Sequence, residues 1–157
     1  MIVHRILVGT LLFATPAVSL AQNVTHTEAQ QVLLADQKAT VFKSPSCGCC
    51  EGYIAFLRKH GVQVTVVSSD AALAQAKGEY SVPLEAQGCH TVVLGGYVVE
   101  GHVPLAALTK LLAEQPALTG IAMPGMPSGT PGMEGPQFGP LNVVGFGERG
   151  VTPFMTL

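Results

Sequence analysis

The stretch CHTVVLGGYVVEGHVP, residues 89–104, constrains the fold of this 157-residue chain more than any other. Two runs rich in β-branched side chains flank Gly95-Gly96, the pattern of a two-residue β-hairpin. The turn sets a register: Leu94 faces Tyr97, Val93 faces Val98, and the ladder continued outward places Cys89 opposite His102. Cross-strand partners stand about 5 Å apart at Cβ, so a thiol and an imidazole are expected close enough to share a metal. Alternation sends His90 to the other face unless the strand bends there.

Upstream, FKSPSCGCCEGY (residues 42–53) holds three of the four cysteines, Cys47, Cys49 and Cys50. Ala39 to Lys43 reads as a short strand. Cys50, Tyr53, Ile54 and Leu57 then recur at helical spacing in a segment running to His60, with Gly61 as its stop and Arg58, Lys59 and His60 suited to the negative end of the helix dipole. The cysteines therefore belong to the loop and first turn of a helix, where backbone N–H groups favour thiolate over thiol and Lys43 adds a nearby cation. Four cysteines in an exported chain would ordinarily pair as two disulfides. The spacing argues otherwise: adjacent Cys49 and Cys50 do not readily bridge each other, and Cys47 to Cys50 closes almost no loop.

Residues 1–21 read as a cleavable signal peptide: Arg5, an apolar run from Ile6 to about Phe13, Pro16, and the small-x-small site Ser19-Leu20-Ala21. The run is too short to cross a bilayer, so a periplasmic location with no membrane insertion after cleavage is expected. Loss of Arg5 leaves seven of the eight Lys and Arg residues against ten Asp and Glu, a net charge of −3. That balance lacks the basic footprint of a nucleic-acid binder.

Residues 22–115 are expected to form one domain. A helix over 24–37 precedes the first strand. Val62 to Val67 alternates as a strand, Asp70 to Lys77 suits a short helix capped by Ser69 or Asp70, and Leu105 to Glu114 closes the domain as an amphipathic helix. Strand, Cys-turn, helix, strand, helix, hairpin, helix is the thioredoxin-like α/β plan. Such folds usually place a cis-proline before the third strand, beside the Cys turn. Here that position reads Gly88-Cys89-His90, which favours metal ligation over disulfide exchange. Residues 116–157 become rich in Gly, Pro and Met, and are expected to be either a loose tail or a strap over the domain.

Met123, Met126 and Met133 add thioethers, which serve equally as ligands or as apolar filler. Thiolate and thioether donors select cuprous copper, and imidazole suits either oxidation state. Zinc would leave the Met segment unexplained, and the cysteine spacing matches neither common ferredoxin pattern. His60 reads as a helix-end residue and His26 as a surface one.

Taken together, Lys43-Ser44-Pro45, Cys47-Gly48-Cys49-Cys50, Cys89-His90-Thr91, Gly95-Gly96-Tyr97, Glu100-Gly101-His102-Val103-Pro104 and Met123 to Glu134 resemble the CopG-like family of periplasmic copper-resistance proteins. Phe42 stands where that pattern has Tyr. The resemblance implies a thioredoxin-like fold that holds copper, as one or several cuprous ions, through Cys47, Cys49, Cys50 and Cys89, with His102, His90 and Met126 as weaker candidates. It also implies a role in copper tolerance alongside other periplasmic copper-handling proteins, and allows Cu(I)/Cu(II) oxidoreductase chemistry. Two other readings stay open: a thiol-disulfide oxidoreductase using Cys47 and Cys50, and a disulfide-stapled interaction module.

Overall fold

A computed structural model describes residues 33–157. The expected signal peptide, His26 and residues 24–32 of the expected first helix lie outside the described residues. The elements run β1 (Lys38–Lys43), α1 (Gly48–Lys59), β2 (Gln63–Ser68), α2 (Asp70–Glu79), a 3-10 turn (Leu84–Ala86), β3 (His90–Leu94), β4 (Tyr97–Glu100), α3 (Leu105–Glu114), β5 (Gly120–Ala122), β6 (Asn142–Gly147) and β7 (Gly150–Thr156). Among the described residues the fold is thus α/β, with three helices on one mixed seven-stranded sheet of order β2-β1-β3-β4-β5-β6-β7. None of the described helices is long and apolar enough to cross a membrane.

Local chemistry accounts for these elements. The α1 stripe buries Cys50, Tyr53, Ile54 and Leu57, and Gly61 ends the helix in a left-handed conformation (φ 86°). Ser69 caps α2 by accepting from the Ala72 amide. At the hairpin, Leu94 pairs with Tyr97 and Val93 with Val98, with both turn glycines at positive φ. α1 and α3 cover one face of the sheet, packing Tyr53, Ile54, Leu57, Leu108 and Leu111 on Val41, Val92, Leu94, Val99 and Ile121. On the other face lies a smaller cluster of Val82, Ala86, Val98, Ala122 and Phe146.

The sequence alone suggests no strand after Pro116, yet three are present. β5 pairs in parallel with β4, β6 is antiparallel to β5, and β7 is antiparallel to β6. They escape a pattern search because β5 has only three residues, β6 carries Gly145, and β7 carries Pro153, which suits an edge strand. Gly120 permits the β4–β5 contact, since a Cβ there would collide with the Val98 carbonyl. The Gly/Pro/Met stretch is therefore a long connection between two strands of the sheet.

Candidate metal centre

Three sequence-distant segments meet at one end of the sheet. The β1–α1 turn places Cys47 at the helix cap and Cys49 and Cys50 in its first turn. Cys47 and Cys50 form a disulfide, while Cys49 and Cys89 are free. Cys49 Sγ lies 3.6 Å from Cys47 Sγ and 3.8 Å from Cys89 Sγ, and Cys50 Sγ lies 3.5 Å from Cys89 Sγ. All four sulfurs fall within 4.8 Å of one another. A second group, Cys89, His90 and His102, meets the same limit and shares Cys89 with the first.

The hairpin carries that sharing. Cys89 Sγ is 3.3 Å from His102 Nε2, its partner in the extended register, and 3.3 Å from His90 Nδ1. His90 thus joins the cluster despite its neighbouring position in sequence. The physical reason is that β3 begins at His90, so Cys89 is released from alternation. Gly88 packs so closely on Gly101 that a side chain on Gly88 would strike the Gly101 backbone, and Gly101 adopts φ 69°. The chain bends there, and the two imidazoles meet edge to face with ring centres 5.0 Å apart.

Burial sets the protonation of this end. It pushes the Cys89 thiol up to about 12, with neighbouring Cys49 adding to the effect. Burial, then His102 and Lys77, hold His90 down to about 3, and burial also lowers His102. His90 is fully buried with Nε2 unpartnered. Since its folded-state value lies below the ordinary 6.5, stability is fully present above about 6.5 and declines as pH falls toward 3. The loss from this group is at most about 5 kcal/mol. Urea unfolding of the metal-free protein at pH 7, 5 and 4 should show that decline, with a shallower slope in His90→Gln; equal slopes would refute the assignment.

Lys43, expected to favour thiolate, is buried and engaged elsewhere: Nζ donates to the Ser44 carbonyl at 2.9 Å and pairs with Glu51 at 3.0 Å. Met123 enters the hydrophobic core, Met133 is half-buried, and Met126 is 37 % exposed with left-handed backbone. His60 sits at the helix end against the Phe56 ring.

Three contributors are not among the site residues expected from the sequence. The Tyr53 ring lies 4.7 Å from that of His90 and 5.5 Å from that of His102, with its hydroxyl donating to the Val103 carbonyl. The carbonyl of Pro131 lies 2.7 Å from His102 Nδ1. On the opposite face, the wholly buried Glu100 carboxylate accepts from the Gly88 amide at 2.8 Å, from Lys77 at 2.6 Å and from the Thr91 hydroxyl. It thereby anchors the residue preceding Cys89.

A family model described as a protein of unknown function, DUF411, matches residues 86–133, a span that includes Cys89, both site histidines and Pro131 but not the Cys47–Cys50 turn. Two solved structures, described as the copper resistance protein CopG in form 2 and form 1, are similar along most of the chain. The first is 37% identical with a TM-score of 0.68, covering 78% of this chain and 98% of that one. The second is 36% identical with a TM-score of 0.68, covering 76% and 96%. No curated protein sequence matches.

Proposed function

The chain belongs to the CopG-like copper-resistance family, and from that premise we propose that it is a periplasmic protein that binds copper at this thiolate and imidazole cluster, sequestering it or passing it on. One observation carries the reading: Cys89 Sγ has two other cysteine sulfurs within 3.8 Å and two imidazole nitrogens at 3.3 Å. Sulfur donors in that number suit cuprous copper, and imidazole keeps the cupric state accessible. With the Cys47–Cys50 bridge reduced, Cys47, Cys49, Cys50 and Cys89 are the proposed thiolate ligands and His102 and His90 the nitrogen ligands. Met126, which is exposed, is proposed as a further, weaker ligand. Six donors are enough for more than one ion and for redox cycling between Cu(I) and Cu(II).

The sheet order β2-β1-β3-β4, with the cysteine turn between β1 and α1, supports a thioredoxin-like reading of residues 22–115. Within residues 116–157, β5, β6 and β7 extend the same sheet, and the connection between β5 and β6 is read as the strap over the cluster. The signal sequence over residues 1–21 supports export, and the implied role is copper tolerance.

A second reading has its own support, since the bridge between Cys47 and Cys50 is the product of a C-x-x-C redox pair. The two separate by anaerobic titration of the reduced protein with Cu(I), followed by metal and thiol counting. Copper binding predicts stoichiometric metal that protects all four thiols from alkylation. Metal-free protein that reduces insulin and needs only Cys47 and Cys50 would replace the copper reading with thiol exchange.

A further inference from the structure

The segment following β5 crosses the metal centre, and its contact there dictates where the protons sit. A carbonyl oxygen only accepts, so at 2.7 Å from Pro131 O the proton of His102 is on Nδ1, and Nε2 is a bare lone pair facing Cys89 Sγ at 3.3 Å. The Cys89 thiol keeps its proton and donates it in a hydrogen bond to that lone pair. His90 Nδ1 lies 3.3 Å from the same sulfur, and His90 Nε2 is buried without a hydrogen-bond partner. One backbone carbonyl thus sets the His102 tautomer and, through it, the direction of the Cys89 hydrogen bond. Metal-ligating histidines characteristically donate their other ring N–H to such a partner, which fixes tautomer and ring orientation.

The closeness of the strap depends on two glycines. A Cβ on Gly52 of α1 would sit 2.8 Å from Gly132 Cα, and one on Gly132 would sit 3.0 Å from the Cys49 carbonyl and nearer still to the Tyr53 amide. Gly132 also holds φ 79°. The strap braces itself on either side of Pro131: the Thr130 hydroxyl donates to the Pro127 carbonyl at 2.7 Å, the Met133 amide to Thr130 O at 2.9 Å, and the Gly129 amide to Met133 O at 3.1 Å.

We propose that the strap at Pro131 is a positioning element that holds His102 as the ready nitrogen donor of the centre, its Nε2 lone pair aimed at Cys89, and that the Gly52–Gly132 contact lets it do so. This rests on the copper reading above for its purpose, but not for its test. In the full, metal-free chain labelled with 15N-histidine, long-range 15N–1H correlation at neutral pH should show His102 as the Nδ1–H tautomer.

Gly52→Ala favours the α1 helix, since Ala is the better helix former, while pushing the strap outward. His102 should then populate both tautomers, and Cu(I) affinity, measured by competition with a chromophoric chelator, should fall about 10- to 100-fold. Gly132→Ala should act in the same direction. Gly78→Ala, in α2 with open space around the added methyl, should change neither readout. An Nε2–H tautomer in the wild type would overturn the proposal, as would Gly52→Ala with wild-type tautomer and affinity. If Gly52→Ala does not fold, the wild-type tautomer decides alone. The Nδ1–H tautomer in a protein that takes up no copper supports the positioning and sinks the copper reading instead.

Discussion

Glu100→Ala is expected to lower the unfolding free energy by about 3–5 kcal/mol, because it strands a largely buried ammonium without its counter-charge. Glu100 is wholly inaccessible, and Lys77, whose side chain is 12 % exposed, lies 2.6 Å away. The same carboxylate accepts from the Gly88 amide and the Thr91 hydroxyl, so its loss leaves two further donors short. Glu100→Gln keeps an acceptor for Gly88 but not the charge, and should fall between. A Lys77→Met, Glu100→Leu double variant removes the stranded charge and should recover part of the loss. Denaturant unfolding checks this series, and an alanine variant within 1 kcal/mol of wild type would show that Lys77 finds water instead. Because Gly88 precedes Cys89, the alanine variant should also loosen the site, read as faster alkylation of Cys89 in the folded protein.

Cys89→Ser should weaken copper binding by more than about 100-fold, beyond the 10- to 100-fold typical of losing an outer partner. Its sulfur belongs both to the four-cysteine group and to the group with His90 and His102, so one substitution takes a donor from each. Cys47→Ser removes a donor from the first group alone and should cost less. Hydroxyl oxygen is a poor substitute for a soft cuprous ion. Chelator competition under anaerobic conditions measures both. The opposite ranking, with Cys47 indispensable and Cys89 dispensable, would place the copper at the cysteine turn alone and overturn the role given to Cys89.

What could be read from the residues was whatever local chemistry specifies. Gly95-Gly96 admits few backbone solutions, so the register of β3 with β4, and through it the approach of Cys89 to His102, followed from the turn. The cysteine turn was legible because a helical stripe begins at Cys50. Features that depend on distant segments were not. The partner of Glu100 comes from α2, and its signal, an acidic residue closing a β-branched run, does not name Lys77. Pro131 acts through its backbone, which no side-chain pattern encodes. Met123 looked like Met126 in sequence, but it follows directly on β5 and is drawn into the core. His90 joined the cluster only because the backbone bends at Gly88 and Gly101.

The segment that crosses the centre is tied down at both ends, by Ala122 of β5, paired with β4 and β6, and by Asn142 of β6, paired with Thr156 of β7. It is therefore a closed loop and not a chain end, and the entropy of keeping it over the cysteines was largely spent when the sheet formed. Closing such a loop grows more costly only as the logarithm of its length, so lengthening it within residues 134–140, which are exposed, should be tolerated. Cutting it is another matter: one nick in that stretch turns a tethered cover into two free arms, and the local concentration of the Pro131 carbonyl at His102 falls accordingly.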